Sequence, residues 1–268
     1  MPNTKVWLYF TLAFAITWTI WLPLVLQTQF GVAVPLLPYQ HYLGSYGPLI
    51  AAMLTTLFFE GWQGVLAFLA QIFRVVRQPK WYAFAIGTPI LGFVFAAAVN
   101  MLFAGYWPDF DQLDVTPKLP GFNLLQAWLF WIFTFGVGEE AGWRGFVLQE
   151  MQKIWKPVPA SLLLGGIWAL WHIPAFFYDK QYMAMEFTQI AGWLLAVLYG
   201  AVVFGWIRNA TGGSVLIVAL WHGTFDALIA GKAAVGIIPA VMSILVIVLA
   251  SWIIKRTNGR LGYSGGSD

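Results

Sequence analysis

From Leu124 to Gly138 the chain carries no ionisable side chain, and the next two residues are both glutamates, Glu139 and Glu140. Apolar runs of comparable length recur at approximately 6–27, 43–66, 82–106, 122–150, 158–177, 187–207, 214–231 and 233–254. A helix needs about 20 consecutive apolar residues to cross the hydrocarbon of a bilayer. The pattern therefore predicts an all-α fold, a polytopic membrane helix bundle of about eight transmembrane helices. The fourth run is long enough to cross and continue as an interfacial helix, and only Gly231 and Lys232 separate the seventh from the eighth. The first run follows Lys5 and exceeds the ~7–15 apolar residues of a signal peptide, so it is expected to be retained.

Composition agrees, with 9% of residues charged and 60% hydrophobic, against about 25% charged in a soluble domain. We read residues 1–268 as one integral domain, with its polar motifs between about 120 and 230 and a flexible tail at about 257–268. The chain contains no cysteine, which excludes disulfides, thiol nucleophiles, thiolate metal ligands and lipidation at a cysteine. The net charge of +3 does not imply nucleic acid; the expected surroundings are a lipid bilayer. Oligomeric state is not encoded in any feature of the chain.

Lysine and arginine placement gives the orientation. Lys5, Arg74, Arg77, Lys80, Lys153, Lys156, Arg208, Lys255, Arg256 and Arg260 fall on one side of the eight runs. Lys118, Lys180 and Lys232 fall on the other, and Arg144 lies within a run. Ten against three places both termini in the cytoplasm. Asp109, Asp111 and Asp114 occupy an opposite loop, but acidic residues contribute little to this rule. The expected location is the plasma (inner) membrane of a prokaryote.

Ionisable groups at bilayer depth cost roughly 2.5–3.5 kcal/mol each on insertion scales, so they mark candidate function. Glu139 lies 14 residues before Lys153, His172 lies 16 after Lys156, and His222 lies 14 after Arg208. At 1.5 Å per residue all three sit about 21–24 Å from a cytoplasmic anchor. Glu140 and Arg144 are four apart and share a helical face, which suits an ion pair. Glu139, rotated about 100° from Glu140, is freer to face a cavity and act as a base. Asp226 lies four residues after His222 and can orient its ring. His41 has no partner in sequence and reads as structural, as do Trp168, Trp171 and Trp221, although aromatic walls can also line a groove. Glycines 136, 138, 142, 145, 165 and 166 surround these positions and allow close helix approach.

These residues resemble a known family. Glu139-Glu140-Ala141-Gly142-Trp143-Arg144 matches the EExxxR motif of the CPBP intramembrane proteases, which include type II CAAX-prenyl endopeptidases and bacteriocin-processing or self-immunity (Abi-like) proteins. Trp168-Ala169-Leu170-Trp171-His172 is similar to the family's FxxxH motif, with tryptophan in the phenylalanine position, and His222-Gly223-Thr224-Phe225-Asp226 matches HxxxN/D. The resemblance implies an endopeptidase acting on a membrane-associated or lipid-modified peptide or protein. It assigns Glu139 and His172 to water activation, His222 and Asp226 to the oxyanion, and Glu140 and Arg144 to support.

Asp226 is a departure, because the prenyl-protease branch usually carries an asparagine there, and an ionised aspartate cannot donate to an oxyanion. Asp226 could instead orient His222, or join Glu139, His172 and His222 around Zn2+, whose bound water is a competent nucleophile. Metal-free acid–base chemistry with no cofactor is the preferred reading. The alternatives from other classes are a transporter or proton relay and a non-catalytic immunity or binding scaffold.

Overall fold

A peptide group in hydrocarbon must find its hydrogen-bond partner within the protein, and a helix satisfies this locally. In the computed structural model, which describes residues 4–113 and 119–264, the apolar runs are helices and no strand occurs among the described residues. Lys118 and Asp114, used or weighed in the charge reading, lie outside those residues. The long elements are α1 (Thr4–Phe30), α3 (Gly47–Ile72) and α4 (Lys80–Ala104), with a short α2 (Gln40–Gly44) before α3. A composite helix, α5, covers residues 124–152. It is followed by α6 (Pro157–Trp171), a short α7 (Lys180–Met183), α8 (Phe187–Ala210), α9 (Val215–Ala230) and α10 (Ile238–Arg256).

Six helical segments, 4–30, 40–72, 80–104, 157–177, 187–210 and 238–256, are long and apolar enough to cross a membrane. Helix α9 is apolar but has only 16 residues, and α5 completes the bundle. This is a polytopic integral membrane protein. Its outward faces carry side chains such as Leu102 and Phe103 (each 82% exposed) and Phe187 (84%), which suits contact with lipid rather than water.

Two boundaries differ from the sequence reading. The link between the last two runs is not the dipeptide Gly231-Lys232 but residues 231–237, because α10 begins only at Ile238, with Pro239 in its first turn. Asn100 closes that link by accepting from the Ile237 amide at 3.3 Å. Helix α3 is also interrupted, at Gly61, whose φ of 69° lies in the left-handed region that glycine enters without a Cβ clash. Toward the C-terminus, residues 257–264 form turns that bury Leu261 completely; the rest of the tail, 265–268, lies outside the described residues.

Connectivity gives the bundle two ends. At one end, Arg74 donates to Gly212 O at 2.8 Å and Ser214 donates to Arg74 O at 3.1 Å. At the other, Gln29 donates to Phe177 O at 2.6 Å and Trp18 donates to Trp171 O at 3.0 Å. In the centre, α9 packs against both α4 and α5, and α8 packs between α6 and α10. Gly223 of α9 explains how α5 comes so close: a Cβ there would stand 2.6 Å from Ile132 Cα and N. Small residues permit this approach between membrane helices.

Candidate active site

Helix α5 starts with a capping box in which the Asn123 side chain accepts from Gln126 N and Gln126 accepts from Asn123 N. It then widens into π-helical turns at Ile132–Glu139 and Trp143–Val147. Such i→i+5 turns recur at functional sites because they re-aim side chains without ending the helix. Here they bracket the polar motif. Glu139 faces a cavity, whereas Glu140 and Arg144 lie behind it, fully buried.

The cavity measures about 270 Å³, and Glu139, His172, His222 and Asp226 all line it. Four residues separated by up to 87 positions (226 − 139) thus share one space. Arg144 Nη1 donates to Glu140 Oε1 at 2.8 Å. That same oxygen lies 3.0 Å from His222 Nδ1, an ion-pair approach without the alignment of a hydrogen bond. On the other side of the ring, His222 Nε2 is 3.3 Å from Asp226 Oδ2. The imidazole is held between two carboxylates, a setting that favours the doubly protonated, positively charged ring. The sequence reading paired Glu140 with Arg144 alone; the fold makes it the joint between the first and third motifs.

Helix α6 stops at Trp171, and His172 is its C-cap residue. A 3₁₀ turn, Ile173–Phe177, follows with Pro174 at its start. His172 Nδ1 lies 2.7 Å from Trp168 O. A carbonyl only accepts, so Nδ1 carries the proton and Nε2 keeps the lone pair in the neutral ring.

Trp168, read from the sequence as a packing residue, meets Glu139, His172, Arg144 and His222. Its indole N–H donates to Glu139 Oε2 at 2.8 Å, and its carbonyl accepts from His172. The Arg144 guanidinium lies 4.7 Å from the Trp168 ring centre and 4.7 Å from that of Phe204. Two aromatic faces therefore help to hold a cation withdrawn from water. The signal in sequence was the tryptophan standing where the motif has phenylalanine, since only the indole brings an N–H.

His41, read from the sequence as structural, has structural partners that the sequence did not show. It lines the same cavity, stacks on Trp21 with an interplanar angle of 8°, and places Nδ1 2.7 Å from the Tyr178 hydroxyl. Sequence could not reveal this, because the partners lie 20 and 137 residues away. Burial, reinforced by the Asp179 charge, pushes the Tyr178 hydroxyl above the usual phenol range, so it is a neutral partner. Gln181 and Tyr182 add polar groups to the lining.

The donor set does not fit a metal as it stands. Among the described residues no three histidine, aspartate or glutamate side chains gather at ligand spacing. Both His222 nitrogens face carboxylates, and His172 Nδ1 faces a carbonyl.

Residues 121–228 match the family model for Rce1-like type II CAAX prenyl endopeptidases, a segment that contains all three motifs. This segment is similar to those endopeptidases over its three motifs. A curated relative, the CAAX prenyl protease 2 of Methanococcus maripaludis, is 28% identical over 98 residues, which cover 35% of this chain and 36% of that protein. The chain thus matches about a third of its relative's length. The matched segment spans α5, α6, α7, α8 and most of α9, and it carries Glu139, His172, His222 and Asp226 of the cavity lining.

Proposed function

We propose that the protein is an intramembrane endopeptidase that hydrolyses a peptide bond of a membrane-associated or lipid-modified chain. The observation that carries this reading is the convergence of Glu139, His172, His222 and Asp226 on one cavity. In the proposed reaction, water sits between Glu139 and His172 Nε2. Glu139 takes a proton from it, the hydroxide oxygen bonds to the peptide carbonyl carbon, and the carbonyl electron pair moves onto oxygen. The oxyanion develops against the His222 imidazolium; stabilisation of this kind is worth about 2.7–4 kcal/mol per donor. Collapse breaks the C–N bond, and Glu139 returns its proton to the leaving nitrogen.

Asp226 is proposed to orient His222 rather than to donate. Its contact at 3.3 Å is longer than the 2.7–2.9 Å usual for a charge-assisted bond, so the ring can turn part of its N–H toward the oxyanion. Glu140 and Arg144 hold His222 from behind. We place the protein in the plasma membrane of a prokaryote, on the charge asymmetry of its loops.

The test is cleavage of a membrane-associated peptide by the purified protein in detergent. Glu139→Ala should abolish cleavage while the protein stays folded, and full activity in that variant refutes the base assigned here. Stoichiometric zinc that disappears in His222→Ala refutes the metal-free route. Proton or solute flux in sealed vesicles, without peptide products, supports the transporter reading instead.

A further inference from the structure

Arg208, in the last turn of α8, is only 8% exposed. Among the described residues it forms no ion pair, and its Nε has no hydrogen-bond partner. The acids Glu60 and Glu150 answer Lys5 and Lys153 instead, at 2.8 and 2.6 Å. A buried guanidinium is costly unless an anion meets it. Capping α8 does not occupy Arg208, because the closing carbonyls have other donors. Gly213 N bonds to Arg208 O at 2.8 Å, and the Thr211 hydroxyl bonds to Ile207 O at 2.7 Å.

The chain beside Arg208 is arranged to receive an anion. Gly212 and Gly213, at φ of 66° and 95°, lead from α8 into α9, whose N-cap is Ser214. The first turn of a helix leaves amides without intrahelical acceptors and carries the positive end of the dipole. The Ser214 side chain accepts from one of them, Ile217 N. Arg208 reaches the same place: a Cβ at Gly213 would stand 3.5 Å from Arg208 Nη2 and 3.3 Å from Gln71 Nε2. Gln71 uses one N–H on Gly213 O at 3.4 Å and has a second to give. A Cβ at Gly212 would stand 4.0 Å from Arg74 Nη2. Two guanidinium groups, an amide and a helix N-terminus thus converge on two residues without side chains. None of these residues lines the cavity.

We propose that this junction binds a phosphate group, with its oxygens on Arg208, Gln71 and the first amides of α9. Arg208 offers a planar fork that matches two phosphate oxygens, and a helix N-terminus suits the remaining charge. The donors come from α3, α8 and α9, a spread that a phosphate fills better than a flat carboxylate. The group arrives on a phospholipid head or as free phosphate, and the chemistry recognised is the same.

The test melts delipidated full-length protein in dodecyl maltoside, a detergent without phosphate. It is melted alone, with inorganic phosphate, with phosphatidylglycerol, and with dioleoylglycerol, which has acyl chains but no phosphate. At about 100 times Kd, the phosphate ligand should raise Tm by about 5–10 °C, and dioleoylglycerol should not. A rise with phosphatidylglycerol alone assigns the site to a lipid head; a rise with inorganic phosphate assigns it to the ion itself. Arg208→Gln should lose the rise, and Arg208→Lys should keep part of it. Gln71→Leu, which removes an uncharged donor, should reduce the rise by at least about half. Lys156→Gln, at an exposed position of the same end, should keep it all. Without ligand, Arg208→Gln should melt at or above wild type, because it removes a charge that nothing answers. An equal loss in Arg208→Gln with and without ligand marks a purely structural arginine and overturns the proposal. No rise in wild type, or a full rise in Arg208→Gln or Gln71→Leu, overturns it as well.

Discussion

Replacing Arg144 with methionine should destabilise the protein more than any exposed charge substitution. Arg144 and Glu140 are both fully buried, and their atoms meet at 2.8 Å. Removing one member of a buried pair strands the other's charge, at a cost of about 3–5 kcal/mol. The methionine also forfeits the cation–π contacts to Trp168 and Phe204, at 4.7 Å each. We therefore expect Arg144→Met to fall near the upper end of that range. Arg144→Lys should be intermediate, because it keeps the charge but loses the planar stacking. The deciding variant is the double substitution Glu140→Gln with Arg144→Met. It removes both charges and strands neither, so it should recover at least about half of the loss. Unfolding in mixed micelles with increasing SDS gives the comparison. A single variant within about 1 kcal/mol of wild type, or a double variant no better than the single, refutes the reasoning.

Three other outcomes follow from contacts described above. Trp168→Phe keeps the ring against Arg144 but removes the donor to Glu139; peptide turnover should fall about 10–100-fold, and stability should fall by about 1–3 kcal/mol as the buried acceptor loses its partner. Gly223→Ala drives a Cβ into the Ile132 backbone and should cost about 1–3 kcal/mol, whereas Gly166→Ala, with no atom within 4 Å, should be neutral in the same melting assay. The raised pKa of Tyr178 makes its contribution to stability complete below the unfolded phenol value of about 10 and progressively lost above it. Stability measured between about pH 9 and 11, the range that brackets that value, should therefore decline less steeply in Tyr178→Phe than in wild type.

The parts of the site legible in sequence are those governed by helical periodicity. Residues four apart on one helix meet because the helix brings them together, and both Glu140 with Arg144 and His222 with Asp226 do so. The match in depth among Glu139, His172 and His222 has the same origin, since each is anchored a similar number of residues from a basic loop. What periodicity cannot carry is contact between helices. Glu140 against His222, Trp168 against Glu139 and His41 against Tyr178 depend on packing angles, on π turns and on the cap at His172. The link at 231–237 is hidden in the sequence for a simpler reason: Ala233 and Ala234 are apolar and read as the beginning of the next run.

The shortness of α9 has a consequence for its polar end. Sixteen helical residues span about 24 Å, against roughly 30 Å of hydrocarbon in an ordinary bilayer. None of those residues is exposed, so the helix is bounded by its neighbours and not by lipid. It can therefore stop short of the membrane surface, with His222 and Asp226 toward its end, without setting a bare polar terminus in hydrocarbon.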